Sequence, residues 1–330
     1  MGKSEVILDS NISELQEKWD DQYFQELPRE KSFSGNLMFK HDGFWCAEKV
    51  FHPIISFQKH FKSEDSDILL ATLPKAGTTW LKAIVFSIVH RNDCTVDKSP
   101  LINSNPHALV PFEYQVYGKR ENPDLRSAPG PLILSTHIPH NALPRSIFDT
   151  KCKIIYLCRN PLDQFISQWH FIQQIDVEEN KPIALDKAFE LFLQGKEYFG
   201  PFWDQILGYW KASFKNPEKV LFLKYEDLKR DTINQVRNIA KFLELPFSIE
   251  EEKNGLIEDI TKLCGFESLK NMDGNKPDKV QPGLQIKNSS FFRKGEVGDW
   301  VNYLTPDMVS RGASLIEEKF GESGLKFDFV

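Results

Sequence analysis

Four stretches of this chain share one grammar: a short apolar run, a tight polar turn, then a helix pattern. "DILLATLP" leads into "KAGTTWLKAIVFSIVHR", "PLILSTHIP" into "HNALPRSIFD", "CKIIYLCRNP" into "LDQFISQWHFIQQI", and "KVLFLKYEDL" into "KRDTINQVRNIAKFLEL". The runs are apolar throughout rather than at alternate positions, the mark of strands buried on both faces. Such strands need helices over both sides of the sheet. The pattern therefore predicts an α/β fold with a mainly parallel central sheet flanked by helices, in a single domain. Ligands of such sheets bind beyond the carboxyl ends of the strands, where all four polar turns fall.

The segment ahead of these units reads differently. Residues 1 to about 30 are charged and helix-permissive, and the weak 3.6-residue apolar period of "SELQEKWDDQYFQELP" ends at Pro28. From there to about residue 62 the chain is aromatic and punctuated by Gly, with a helix predicted from Glu48 to Phe61. Residues 1–62 are expected to form an N-terminal arm that either covers a substrate or packs over core, ahead of an α/β domain at residues 63–330.

Composition narrows the partners. A net charge of −6 argues against a duplex-wide basic surface, so no nucleic acid is expected. No apolar stretch approaches the roughly 18 residues that span a bilayer. Val6 stands where a myristoylation signal wants Ser or Thr, and no secretory signal is evident. The five Cys are odd in number and lack C-x-x-C pairing, which fits a reducing compartment. The expectation is a cytoplasmic protein without a membrane partner.

The first turn, in "LLATLPKAGTTWLKAIV", looks like the phosphate loop G-x-x-x-x-G-K-[ST] with one part moved, since Lys75 precedes Gly77. Thr78 and Thr79 open a helix whose unpaired N–H groups and positive dipole end face the turn. Gly77 permits close backbone approach and Lys75 adds a full charge, so a phosphate-like anion is the expected ligand. His137, in "STHIP", follows a strand end on the same rim and is the side chain type best suited to take a proton near neutral pH. Arg159 ends a third run, and Ser167 lies eight residues on, about two helical turns, so both could touch one anion. Arg293, Lys294 and Gly295, in "FFRKGEVGDW", suit a second phosphate. Two separated anion sites would require a nucleotide phosphorylated at both ends. A phosphate-loop kinase would instead need Lys after the second Gly, which is absent, and a magnesium-binding carboxylate, for which Asp163 and Asp227 follow strands.

In this order, "LPKAGTTW", "THIP", "YLCRNPLDQFISQWHF", "LKYEDL" and "FFRKGEVGDW" resemble the soluble sulfotransferase family, whose donor is 3′-phosphoadenosine 5′-phosphosulfate (PAPS). The resemblance runs from about Phe44 to the C-terminus. "HDGFW", "GPFWDQILGYWK" and "GEVGDWVNYLTPDM" are most similar to the plant, flavonol sulfotransferase-like members, which act on flavonoids, brassinosteroids, jasmonate derivatives or desulfoglucosinolates.

The resemblance implies a role for each turn. Lys75 would touch the bridging oxygen of PAPS, with Ala76, Gly77, Thr78 and Thr79 around the 5′ end. Trp80, Tyr225 and Phe266 would wall the adenine, and Arg159, Ser167, Arg293, Lys294 and Gly295 would bind the 3′-phosphate. His137 would be the general base for in-line transfer, leaving 3′,5′-diphosphoadenosine (PAP) as product, and no metal is expected.

Two departures stand out. Ser135 occupies the place where animal members carry Lys, although plant members commonly have a small residue there. The animal dimerisation signature is broken in "VNYLTPDMVS", with Val301 and Pro306 at two of its positions, so a monomer is expected. The acceptor, a small hydroxylated molecule, would meet Phe44, Trp45, Phe112, Tyr114, His137, Trp169 and Phe171, whose rings suit a flat or polycyclic partner. A flavonoid or related phenol is favoured because phenols ionise more easily than alcohols. Brassinosteroids or other steroids, hydroxyjasmonate and desulfoglucosinolates are the alternatives. A PAPS- or PAP-binding protein that has lost catalysis would be expected to show damage at Lys75 or His137, and both are intact.

Overall fold

A computed structural model describes residues 21–126, 130–175, 183–281 and 286–329. The N-terminal part opens with a helix, Asp21–Glu26, that stops before Pro28, where the apolar period predicts an end; the earlier part of that period lies outside the described residues. Three short strands follow, β1 (Arg29–Lys31), β2 (Leu37–His41) and β3 (Phe44–Ala47), paired antiparallel in sequence order. The expected helix then runs Glu48–His60.

The four apolar runs become the central sheet: β4 (Ile68–Thr72), β5 (Ile133–Thr136), β6 (Lys153–Cys158) and β7 (Val220–Lys224). Their order is β5-β4-β6-β7, and every pairing is parallel. Strands β4 and β5 are buried at every position, which is why their sequences carry no polar alternation. Three long helices follow strands or precede them: Thr78–Val89 after β4, Pro161–Ile175 after β6 and Phe202–Lys215 before β7. Register aligns the strand ends, since Ala71 pairs with Thr136, Thr72 with Leu157, and Cys158 with Lys224. One rim therefore collects the residues that follow all four strands.

The N-terminal segment is part of the core. Phe33, Phe39, Phe44, Phe51 and Phe57 are each at most 2% exposed and join the cluster that contains Ile154 of β6 and Phe165. Burial of a Phe side chain stabilises by ~1.5–3 kcal/mol, so five of them contribute on the order of 10 kcal/mol, comparable with the net stability of a whole domain. That magnitude makes the segment from Phe33 to Phe57, strands and helix together, integral to a single domain.

Candidate active site

The residues that follow β4, β5, β6 and β7 meet at one cavity. Lys75, Gly77, Thr78 and Thr79 come from the first turn, His137 from the second, Arg159 from the third and Tyr225 from the fourth. The loop is held in an uncommon conformation, with φ of 67° at Lys75 and 110° at Gly77. Gly77 is required there on two counts. Positive φ disfavours any side chain, and a Cβ would lie 2.8 Å from the Tyr225 ring and 2.9 Å from Leu157. The helix that starts at Thr78 leaves its first-turn N–H groups without intrahelical acceptors, facing the loop. Thr78 and Thr72 share a hydrogen bond of 2.7 Å between their hydroxyls, tying the helix start to the strand end.

His137 is buried, and Nδ1 lies 2.7 Å from the Thr72 carbonyl oxygen. A carbonyl can only accept, so Nδ1 carries the proton and the neutral ring keeps its lone pair on Nε2. Gln205 donates to the His137 carbonyl at 2.6 Å, fixing the backbone as well. Burial pushes the imidazole pKa down to about 3, opposed by the Thr72 carbonyl and assisted by the positive charge of Lys82. The rings of Phe112 and Phe199 flank it at centroid distances of 4.6 and 5.2 Å.

Positive groups surround the loop. Lys75 has its Nζ 4.0 Å from the centroid of the Phe171 ring, and its pKa is pushed down to about 7 by burial, then by Arg159 and Arg293. Arg159 donates to the Glu296 carbonyl at 2.6 Å and lies over the Tyr225 ring at 4.7 Å. Arg293 and Lys294 both reach Asp299, at 2.5 and 2.6 Å. Burial opposes ionisation of Asp299, but hydrogen bonds from Lys294, Arg293 and Asn302 hold its carboxyl down at about 2. Three buried donors at this site have no hydrogen-bond partner among the described residues: Nε of Arg159, Nε of Arg293 and Nε1 of Trp80. Orphaned buried donors are costly unless a ligand completes them, so the site fits an anionic nucleotide.

An aromatic wall stands beside the cations. Trp80 and Tyr225 pack edge to face at 5.4 Å, and Tyr225 donates its hydroxyl hydrogen to the Gly295 carbonyl at 3.1 Å. Phe266 lies directly on Gly295, whose φ is 68° and where a Cβ would be 2.5 Å from the ring. Asp163 positions this loop by accepting from the N–H of Gly298 at 2.7 Å and of Trp300 at 3.1 Å. The other carboxylate a kinase could use, Asp227, pairs with Arg230 at 2.6 Å, and neither lines the cavity.

Of the expected residues, Phe112, Tyr114, Phe171, Ser167, Trp80, Phe266, Arg293, Lys294 and Gly295 also line this cavity. Phe44, Trp45, Trp169 and Ala76 do not. Phe44 and Trp45 are buried residues of β3, and Phe44 is one ring removed from His137, stacked on Phe199 at 6.1 Å. Trp169 is turned to the Ile183 carbonyl, 3.2 Å from Nε1, and Ala76 is enclosed in the core. Ser135 is also outside, its hydroxyl donating to the Pro111 carbonyl at 3.2 Å. The sequence reading passed over His107, Lys229, Leu269, Phe291 and Phe292, which line the cavity, and Phe199 beside His137.

Against the model of a known family, residues 65–324 match the sulfotransferase domain. The chain belongs to the sulfotransferase family. Among relatives, this sulfotransferase is 47% identical to cytosolic sulfotransferase 15 of Arabidopsis thaliana, over 92% of the chain and 87% of that protein. It is 46% identical to cytosolic sulfotransferase 14 of the same plant, over 99% and 94%. These identities make it one of the plant cytosolic type. Among solved structures it is similar to an Arabidopsis thaliana sulphotransferase provisionally named for steroids, with a TM-score of 0.76, 37% identity and coverage of 99% and 100%. Mouse sulfotransferase SULT7A1 complexed with PAP gives a TM-score of 0.66 at 25% identity, covering 87% of this chain and 95% of that one. Among the described residues, no helix is long and apolar enough to cross a membrane.

Proposed function

We propose that this sulfotransferase moves the sulfuryl group of PAPS to a hydroxyl of a small aromatic or polycyclic acceptor, with a flavonoid or related phenol as the favoured class. The observation that carries the reading is the pairing, in one cavity, of a His137 whose free lone pair is on Nε2 with a lysine loop and two arginines that have orphaned donors.

PAPS supplies the activated sulfuryl group when bound. Lys75, the Gly77 backbone and the hydroxyls of Thr78 and Thr79 would hold its 5′ end, with the helix start adding its dipole. Arg159, Ser167, Arg293, Lys294 and Gly295 would hold the 3′-phosphate, and Trp80, Tyr225 and Phe266 would contact the adenine. Acting as general base, His137 takes the acceptor proton on Nε2 while Nδ1–H stays on the Thr72 carbonyl. Its depressed pKa keeps that lone pair available throughout the physiological range, at the cost of a weak base. A phenol meets that limit better than an aliphatic alcohol, because its proton leaves more readily. Phe112, Tyr114 and Phe171 supply flat apolar surface for a planar acceptor.

The test is transfer of radiolabelled sulfate from PAPS to flavonols, brassinosteroids, hydroxyjasmonate and desulfoglucosinolates. Labelling of flavonols above the others is expected. Labelling confined to another class would overturn the acceptor assignment, and tight PAP binding without any labelling would favour a disabled PAP-binding protein.

A further inference from the structure

Next to the catalytic rim lies a buried basic group without an assigned role. Lys82 is fully enclosed in the Thr78–Val89 helix, its Nζ 3.4 Å from the centroid of the Phe112 ring and 2.9 Å from Nδ1 of His107. On the far side of the same imidazole, Nε2 lies 3.0 Å from Oγ1 of Thr79. The ring is confined by Phe112, stacked at 5.3 Å, and by Phe291 at 4.3 Å. A continuous chain thus runs Lys82, His107, Thr79, and Thr79 lines the cavity beside Lys75.

We propose that Lys82 and His107 are positioning residues which hold the Thr79 hydroxyl as a donor toward the 5′ anion, by fixing the His107 proton on Nε2. The proposal rests on the PAPS reading of the site. Burial keeps His107 neutral, pushing its pKa well below the usual value, with the neighbouring Lys82 and Lys75 adding to that effect. A neutral imidazole has one donor and one acceptor nitrogen. Burial pushes the Lys82 pKa well below its usual value, against the pull of Glu113, yet the amino group seated on the π-face of Phe112 keeps N–H hydrogens in either charge state and can donate one to Nδ1, the arrangement in which Nδ1 accepts. Nε2–H consequently donates to Thr79 Oγ1, and the hydroxyl hydrogen is left to point into the cavity. With the opposite tautomer Nε2 would accept that hydrogen, and Thr79 would turn lone pairs toward an anion. The location of a single proton decides between attraction and repulsion at the loop.

The first measurement is a long-range proton–nitrogen correlation spectrum of the whole protein labelled with nitrogen-15 histidine. A neutral His107 protonated on Nε2 is expected; a proton on Nδ1, or an imidazolium, would overturn the proposal without recourse to any variant. The second compares Lys82→Met with the wild type by calorimetric titration with PAP and with adenosine 3′-monophosphate, which lacks the 5′ anion. Folded Lys82→Met is expected to lose about tenfold in affinity for PAP, the size of one hydrogen bond to a charged group, and nothing for the monophosphate. Undiminished PAP binding, or equal loss for both nucleotides, would contradict the relay. Failure of the underlying site reading is separable: the wild type would then bind both nucleotides alike, with the His107 spectrum still deciding the tautomer.

Discussion

Lys75 concentrates the electrostatics of the loop. Its pKa is pushed down to about 7 by burial first and then by Arg159 and Arg293, so above that pH the free enzyme holds a largely neutral amine. A bound phosphate or phosphosulfate restores the charge. At pH 8 PAP binding should therefore take up a proton, seen as a calorimetric heat that varies with the ionisation enthalpy of the buffer. At pH 6 the lysine is already charged and the uptake should vanish; buffer-independent heats at pH 8 would contradict the assignment. Arg159→Ala and Arg293→Ala should weaken PAP by about tenfold or more, as expected for lost charged hydrogen bonds, and adenosine 5′-monophosphate far less. Equal losses for the two nucleotides would remove these arginines from the 3′-phosphate. At this scale the sequence marks Lys75, His137 and Arg159 because each follows an apolar run. It hides Lys82, since a lysine in an amphipathic pattern reads as solvated. Yet a helix buried nearly all round, from Leu81 to Ile88, leaves its lysine no route to water, and the i, i+3 spacing from Thr79 to Lys82 was the available signal.

Among elements, the loop from Arg293 to Trp300 depends most on geometry that lies outside itself. Asp163, at the start of the Pro161–Ile175 helix, anchors it through two backbone N–H groups, and Gly295 lets Phe266 lie flat against it. Gly295→Ala should lower stability by ~1–3 kcal/mol through positive φ and overpacking, and weaken PAP by displacing the Phe266 wall. Thermal melting and PAP titration check both, and wild-type values in each would contradict the packing argument. The parallel strands were legible because strands buried on both faces, as β4 and β5 are, must be apolar or nearly so throughout. The antiparallel sheet β1–β3 was not, because aromatic residues and glycines in a short segment fit a covering arm and a packed core equally well. Phe44 and Trp45 show the difference: their burial is core burial, decided by contacts with Phe199 and Gly200 far along the chain.

At the scale of the whole molecule, residues between Lys75 and Gly295 meet at one cavity because parallel register brings four strand ends level and a distant loop folds back over them. Under the proposed reading, this convergence sets the nucleotide-binding cations beside His137, a neutral imidazole flanked by Phe112 and Phe199. The proposed role of His137 can be tested by removing its ring alone. His137→Asn retains an amide donor that can face the Thr72 carbonyl but deletes Nε2. Turnover from saturating PAPS and acceptor should fall by about 10²–10⁴-fold, the usual weight of a positioned base, while PAP affinity stays at the wild-type value. Turnover close to wild type in the folded variant would contradict the account, because no other neutral base on this rim has been assigned the proton.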